Sequence, residues 1–566
     1  AQSEWPLANK DYNNTRVAQN AKIDSSNVSQ LGVAWAFPIP GSGPNGAAES
    51  NPIIANGTVY FQDLGSNVFA LSLRIGHVIW QRIYNEPALG PNGPAIGYDK
   101  VFVQAGISGI KALDRRTGKE LWSTDLKGLT GVQQPYVFDG YVYTGTAPGT
   151  VETQNQGSTI RSYAPGTSGS IYAIDQQNGN VVWEFQVVEQ GFWGHPEANS
   201  GGGVRFPPAI DTNSGLTYWG TGNPAPFPGT VEWPNGSSRP GPNLYTDSML
   251  ALRHNTGTLD WYDQVKAHDL FGHDFEVAPI LATVTINGEQ RSLIIGAGKV
   301  GRVVAFDSGT GETVWETSVG EHQNNDLTRV PPGQIIDVLP GIYGGVASPM
   351  ALADGVLYVP VVNLATPYTA TGFGARSGTD AAQNAETRTD LATATSVMVA
   401  INAASGDILW RENLDAAAFG GATVVNDLVF TSTFDGTIYA LNRKDGSIVW
   451  KYQAPTGIRA WPAVVGDTIV IAAGVGNNPM LIGLRLGAKG QIPTVQAAQL
   501  VETQVATAGT AYLDVHGTGT PIASEDITPG PEDQHASIVQ VRESEYEIRM
   551  PVRIPAGRVA FRVTNM

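Results

Sequence analysis

The run His268-Asp269-Leu270-Phe271-Gly272-His273-Asp274 gathers two imidazoles and two carboxylates within seven residues. Such groups move protons or hold metal ions. The eight histidines (77, 195, 254, 268, 273, 322, 516 and 535) show no metal-site spacing, so His268 and His273 read as loop structure rather than zinc ligands. The sequence has no cysteine, which excludes disulfides, thiolate metal sites, cysteine nucleophiles and type-1 copper centres. No Walker, dinucleotide or zincin motif is present, and no carboxylate pair stands out for glycan hydrolysis.

The elements that must position any such site are β-strands. A frame of Ala, Gly six residues on and Trp four further recurs seven times: Ala70/Gly76/Trp80, Ala112/Gly118/Trp122, Ala173/Gly179/Trp183, Ala251/Gly257/Trp261, Ala305/Gly311/Trp315, Ala400/Gly406/Trp410 and Ala440/Gly446/Trp450. Each copy reads as a hairpin, with alternating half-buried strands and a Gly that supplies positive φ at the turn. The small Ala leaves room that a Trp fills. A sheet built of such hairpins cannot bury both faces alone, and radial stacking solves this. The Trp-to-Trp spacings are 42, 61, 78, 54, 95 and 40 residues. A bare blade needs about 40 to 45, so the third, fourth and fifth blades are expected to carry insertions. Trp35 lacks a preceding hairpin partner and reads as an N-terminal strand closing the ring against Thr468–Ala473 and Met480–Leu486. The fold expected is all-β: an eight-bladed β-propeller over 1–487 and a β-rich extension over 488–566.

The charge balance is −17, with 34 Lys and Arg against 51 Asp and Glu. Nucleic-acid binding needs clustered cations and is not expected. No apolar run reaches the length of a membrane span. The start at Ala1-Gln2 is read as a removed signal peptide or a trimmed chain; with the first, the protein is expected in the periplasm or outside the cell.

The repeat pattern, together with Gly220-Thr221-Gly222-Asn223-Pro224-Ala225-Pro226, resembles the quinoprotein alcohol dehydrogenases, which use pyrroloquinoline quinone (PQQ). The resemblance covers roughly residues 1–487. It implies that Asn223 is a metal ligand, through an amide oxygen suited to Ca²⁺. Glu49 in Ala48-Glu49-Ser50-Asn51-Pro52 would hydrogen-bond the cofactor. Lys299 would polarise the quinone carbonyls and balance the PQQ carboxylates. Glu152, in a long third-blade loop, would be a second metal ligand. Phe206 after Ser200-Gly201-Gly202-Gly203, Phe419 before Gly420-Gly421, and Trp461 would supply aromatic contacts to the cofactor. The closing residues 554–566 look like early strands of a cupredoxin-type sandwich that then stops.

Two departures stand out. The family's vicinal disulfide is replaced by Gly90-Pro91-Asn92-Gly93-Pro94. The family's catalytic Asp aligns with Gly272, which can neither ligate nor accept a proton. Asp274, two residues on and on the same face of an extended strand, is the expected base and a further metal ligand; Asp269 and His273 are the alternatives. The implied activity is oxidation of an alcohol or sugar hydroxyl, with PQQ and Ca²⁺ or a lanthanide as cofactors. Electrons would leave to an external acceptor such as cytochrome c or a cupredoxin. The competing reading is an inactive propeller serving as a binding or assembly scaffold.

Overall fold

In every repeat the Ala and the Trp are direct partners across two antiparallel strands, from Ala70 opposite Trp80 to Ala440 opposite Trp450, with a register shift just after the Ala. The shift increases local twist. The indole also reaches the following blade. Trp183 Nε1 donates to His254 O at 3.0 Å, and its ring lies on Gly257. The same pairing joins Trp80 to Arg115 O and Gly118, Trp261 to Ser308 O and Gly311, and Trp315 to Ala403 O and Gly406. A Gly is required there: its φ is positive, and a methyl at Gly257 would sit 2.5 Å from the indole.

This computed structural model describes residues 4–493 except 19, 107–108, 155–156 and 375–390, and the strands Ser537–Ser544, Glu547–Arg549 and Val559–Thr564. Eight four-stranded antiparallel sheets form the blades. Blade 1 is Ile53–Ala55, Thr58–Gln62, Val68–Ser72 and Val78–Arg82. Blades 2 to 7 follow over 95–125, 136–186, 209–264, 280–318, 351–414 and 423–453. Blade 8 joins Ala463–Val465, Thr468–Ala473 and Met480–Leu486 to the N-terminal Leu31–Pro38, which closes the ring.

Trp35 also acts as a docking residue: its indole donates to Leu73 O and covers Gly76 of blade 1. Trp450 stacks on Tyr452 of its own blade. The insertions differ from expectation. Blade 3 carries the hairpin Gly149–Gln154 with Gly157–Ser162 and blade 4 the segment 221–247, but the longest additions are 319–350, before blade 6, and 364–394, within it. Contacts divide the chain into Ala1–Pro493 and Thr494–Met566. In the second unit Ser537–Ser544 pairs in parallel with Val559–Thr564 and antiparallel with Glu547–Arg549.

Candidate active site

In an antiparallel hairpin, the start of the first strand and the end of the second lie at the same end of the sheet. Apart from Glu152, the expected site residues occupy such positions. Glu49, Phe206, Phe419 and Trp461 precede the first strands of blades 1, 4, 7 and 8; Asn223 and Lys299 follow the second strands of blades 4 and 5. Asp274 precedes the first strand of blade 5, fixed where Phe275 bridges Thr221.

At the centre is a buried ion cluster. Asp274 Oδ1 accepts the Asn223 backbone N–H at 2.7 Å, and Oδ2 accepts Arg205 Nη2 at 3.2 Å and an ion pair from Lys299 Nζ. Arg205 Nε reaches on to Glu276 Oε1 at 2.7 Å. Two carboxyls therefore face two cations. The acids are sealed, with side chains 1% and 5% exposed, while Arg205 keeps 31% and Lys299 14%. Burial pushes Asp274 up, but Lys299 and Arg205 outweigh it and hold the carboxyl below its usual range. Burial raises Glu276 to about 7, against the pull of Arg205 and with the push of Asp274. Among the described residues no donor meets Glu276 Oε2. Tyr163 donates its hydroxyl to Asn223 Oδ1 at 2.8 Å, and burial holds that phenol well above its ordinary range.

A second group contains Glu49, Phe419 and Trp461. Arg459 Nε pairs with Glu49 Oε1 at 2.8 Å, and the guanidinium lies over Phe419 at 5.4 Å. Trp461 Nε1 donates to Phe419 O at 2.9 Å, and its ring meets Phe206 at 5.6 Å between centroids. Phe206 is the neighbour of Arg205, so the two groups are linked through adjacent residues. Glu152 lies on a strand opposite Thr159, and its side chain falls outside the described residues.

Gly272 has φ +73°, and a Cβ there would lie 3.0 Å from the Phe227 ring. An aspartate in this backbone would be strained. Asp269 and His273 are committed to the loop. Asp269 accepts the backbone N–H groups of Phe271, Gly272 and His273 and pairs with Lys266 at 3.2 Å. Burial raises its carboxyl, yet Lys266 and His273 hold it well below the ordinary value. His273 Nε2 meets Pro340 O at 2.9 Å, and burial lowers its imidazole. Neither is free to serve as the base.

The donor set suits a hard cation in kind. Asn223 and Asp274 are oxygen donors joined by a hydrogen bond, and Glu276, which shares Arg205 with Asp274, brings a buried carboxylate oxygen that lacks a donor among the described residues. Among those residues no group of three or more His, Asp or Glu is arranged around one point.

Residues 5–92 and 134–328 match the family model of the glucose/ethanol/alcohol dehydrogenase β-propeller domain that uses PQQ. The chain belongs to this family. Residues 365–492 also match the model of the outer membrane protein assembly factor BamB. A quinoprotein alcohol dehydrogenase of Pseudomonas putida is 28% identical over 501 residues, 78% of this chain and 80% of that one. A lanthanide-dependent methanol dehydrogenase of Methylacidiphilum fumariolicum is 25% identical over 526 residues, 80% of this chain and 81% of its own. The solved quinohemoprotein alcohol dehydrogenase of Comamonas testosteroni superposes with a TM-score of 0.71 at 22% identity, covering 87% of this chain and 82% of that one. As a PQQ-family dehydrogenase, the protein is an oxidoreductase with an all-β propeller. No described helix is long and apolar enough to cross a membrane.

Arg205, Arg459, Tyr163 and Glu276 were not singled out by the sequence. Glu276 had a signal in the alternation 272, 274, 276, which an extended strand would place on one face; the structure has no strand there, and Gly272 is left-handed, so the shared face expected for Gly272 and Asp274 does not form. Arg205 had one too, as the single charge in Gly201-Gly202-Gly203-Val204-Arg205-Phe206-Pro207-Pro208. Nothing local marked Arg459 or Tyr163.

Proposed function

We propose that the protein is a PQQ-dependent dehydrogenase oxidising an alcohol or sugar hydroxyl with Ca²⁺ or a lanthanide at Asn223 and Asp274, in the periplasm or outside the cell. The observation that supports this best is the meeting of Asn223, Asp274 and Lys299, which lie far apart in sequence, at one carboxylate. When bound, the quinone takes up the two electrons of the alcohol and the metal ion polarises its carbonyl. The chain's residues do the rest. Lys299 and Arg205 present positive charge to an anionic cofactor, and Arg459 adds a third cation beside Glu49. Phe206, Phe419 and Trp461 are buried aromatic surfaces against which a flat ring can rest. Asp274, kept ionised by its two cations, receives the hydroxyl proton once a donor leaves Oδ2. Glu152 serves as a further metal ligand in this reading. A scaffold gives no reason for two carboxyls to be sealed from water beside two cations, an arrangement costly to build.

The electron acceptor in this proposal is a basic cytochrome c or a cupredoxin, steered by the charge of −17. The mixed parallel and antiparallel strands of residues 537–564 support a partial cupredoxin-like extension over 488–566. The test is reconstitution with PQQ and Ca²⁺ or a lanthanide, followed by an artificial electron acceptor and a panel of primary alcohols and aldoses. Turnover on an alcohol or aldose is expected. Bound PQQ without turnover on any of them leaves the scaffold reading in place.

A further inference from the structure

We infer that Arg205 is a built-in cation that stands in for the metal at Asp274 and must give way before a metal ion binds. The inference rests on the PQQ-dependent reading above. Asp274 has no idle oxygen: Oδ1 holds the Asn223 N–H, and Oδ2 holds Arg205 and Lys299 together. The Asn223 side-chain oxygen Oδ1 already accepts the Tyr163 hydroxyl. A guanidinium is planar and forked, so Arg205 bridges Asp274 and Glu276 in a way that a single ammonium cannot. Lys299 is different: it sits on one carboxylate alone.

The charges set the order of events. Asp274 already has Arg205 and Lys299 as countercharges without any ion. A divalent or trivalent ion brought to Asp274 would meet two positive groups within hydrogen-bonding distance of the same oxygen, in a site where water screens poorly. An anion meets the opposite situation. Arg205 and Lys299 are the exposed members of the cluster, while the acids are sealed. Arg205 and Lys299 would turn toward an incoming tricarboxylate and leave Asp274. The freed oxygen is then available to the metal. Metal and quinone therefore bind as a coupled pair, each raising the affinity for the other by the same factor. Arg205 is here a positioning residue: it acts through Asp274 and does no chemistry itself.

The experiment uses the full chain, with Tb³⁺ luminescence and Ca²⁺ calorimetry as metal readouts. In PQQ-free protein, Arg205→Met should bind either metal about tenfold or more tighter than wild type. Arg205→Lys keeps the charge but not the bridge, and should lie between, about threefold tighter. It also serves if the methionine variant fails to fold. In wild type, saturating PQQ should tighten metal binding by about tenfold or more. Unchanged metal affinity in the folded Arg205 variants overturns the inference. Wild type that binds metal equally well with and without PQQ also overturns it. PQQ that binds no form of the protein, with or without metal, counts against the dehydrogenase reading instead, since the comparison of Arg205 variants needs no quinone.

Discussion

Replacing Gly257 by Ala tests how the blades are held together. The added methyl would lie 2.5 Å from Trp183 Cε3 and 2.6 Å from Cδ2, and φ is +68°. The left-handed backbone costs a non-glycine residue about 1 kcal/mol. Overpacking against a ring that cannot retreat adds about 1–3 kcal/mol. If the indole tilts away instead, it loses its hydrogen bond to His254 O, now 3.0 Å, at about 1 kcal/mol. The total expected is about 2–4 kcal/mol. Gly140→Ala is the matched control: its φ is +82°, with no atom within 4 Å of the added Cβ, so only the backbone cost of about 1 kcal/mol applies. The assay is urea unfolding followed by tryptophan fluorescence, comparing midpoints at unchanged slope. Equal losses in the two variants would refute the docking argument, because the contact with Trp183 would then contribute nothing.

Trp315→Ala, which empties a buried ring site and leaves the Ala403 carbonyl without its donor, should cost about 3–5 kcal/mol in the same assay. Asp274→Asn should lower kcat by about 10²-fold or more in enzyme reconstituted at saturating PQQ and metal; full activity would place the base elsewhere. Burial raises Asp63 to about 6, above its ordinary 3.8, so the folded protein holds this proton more tightly than the unfolded chain. Its contribution is full below about pH 4 and is lost as pH rises through 6. Asp63→Asn should remove that part of the slope of stability against pH; parallel profiles for the two proteins would contradict the assignment.

The blade architecture was legible because its parts are local. The Ala opposite Trp, the Gly turn and the six- and four-residue intervals all lie within one hairpin, so one stretch of sequence carries the whole instruction. Trp35 was harder, since its glycine partner Gly76 belongs to blade 1 while its strand belongs to blade 8. The spacings located the inserted length without showing which loop takes it up, hence the displacement of the longest additions to 319–350 and 364–394. Within the site, Asn223, Asp274 and Lys299 could be named because short motifs surround them. Their mutual contact depends on strand ends of neighbouring blades. Arg205 was hidden because its role comes from Asp274 and Glu276, about 70 residues downstream, as the separations of 69 and 71 show. Arg459 was hidden for the same reason, its partner Glu49 lying at the other end of the propeller sequence.

The central claim is that Lys299, Arg205 and Arg459 form the receptor for an anionic quinone. Titration of the purified chain with PQQ in the presence of Ca²⁺ or a lanthanide, followed by absorbance and calorimetry, measures this directly. The account predicts saturable binding of one PQQ per chain, weakened about tenfold or more by Lys299→Met, since a buried carboxylate would lose its cation. Absence of saturable binding under both metals, or binding indifferent to Lys299→Met, would contradict it.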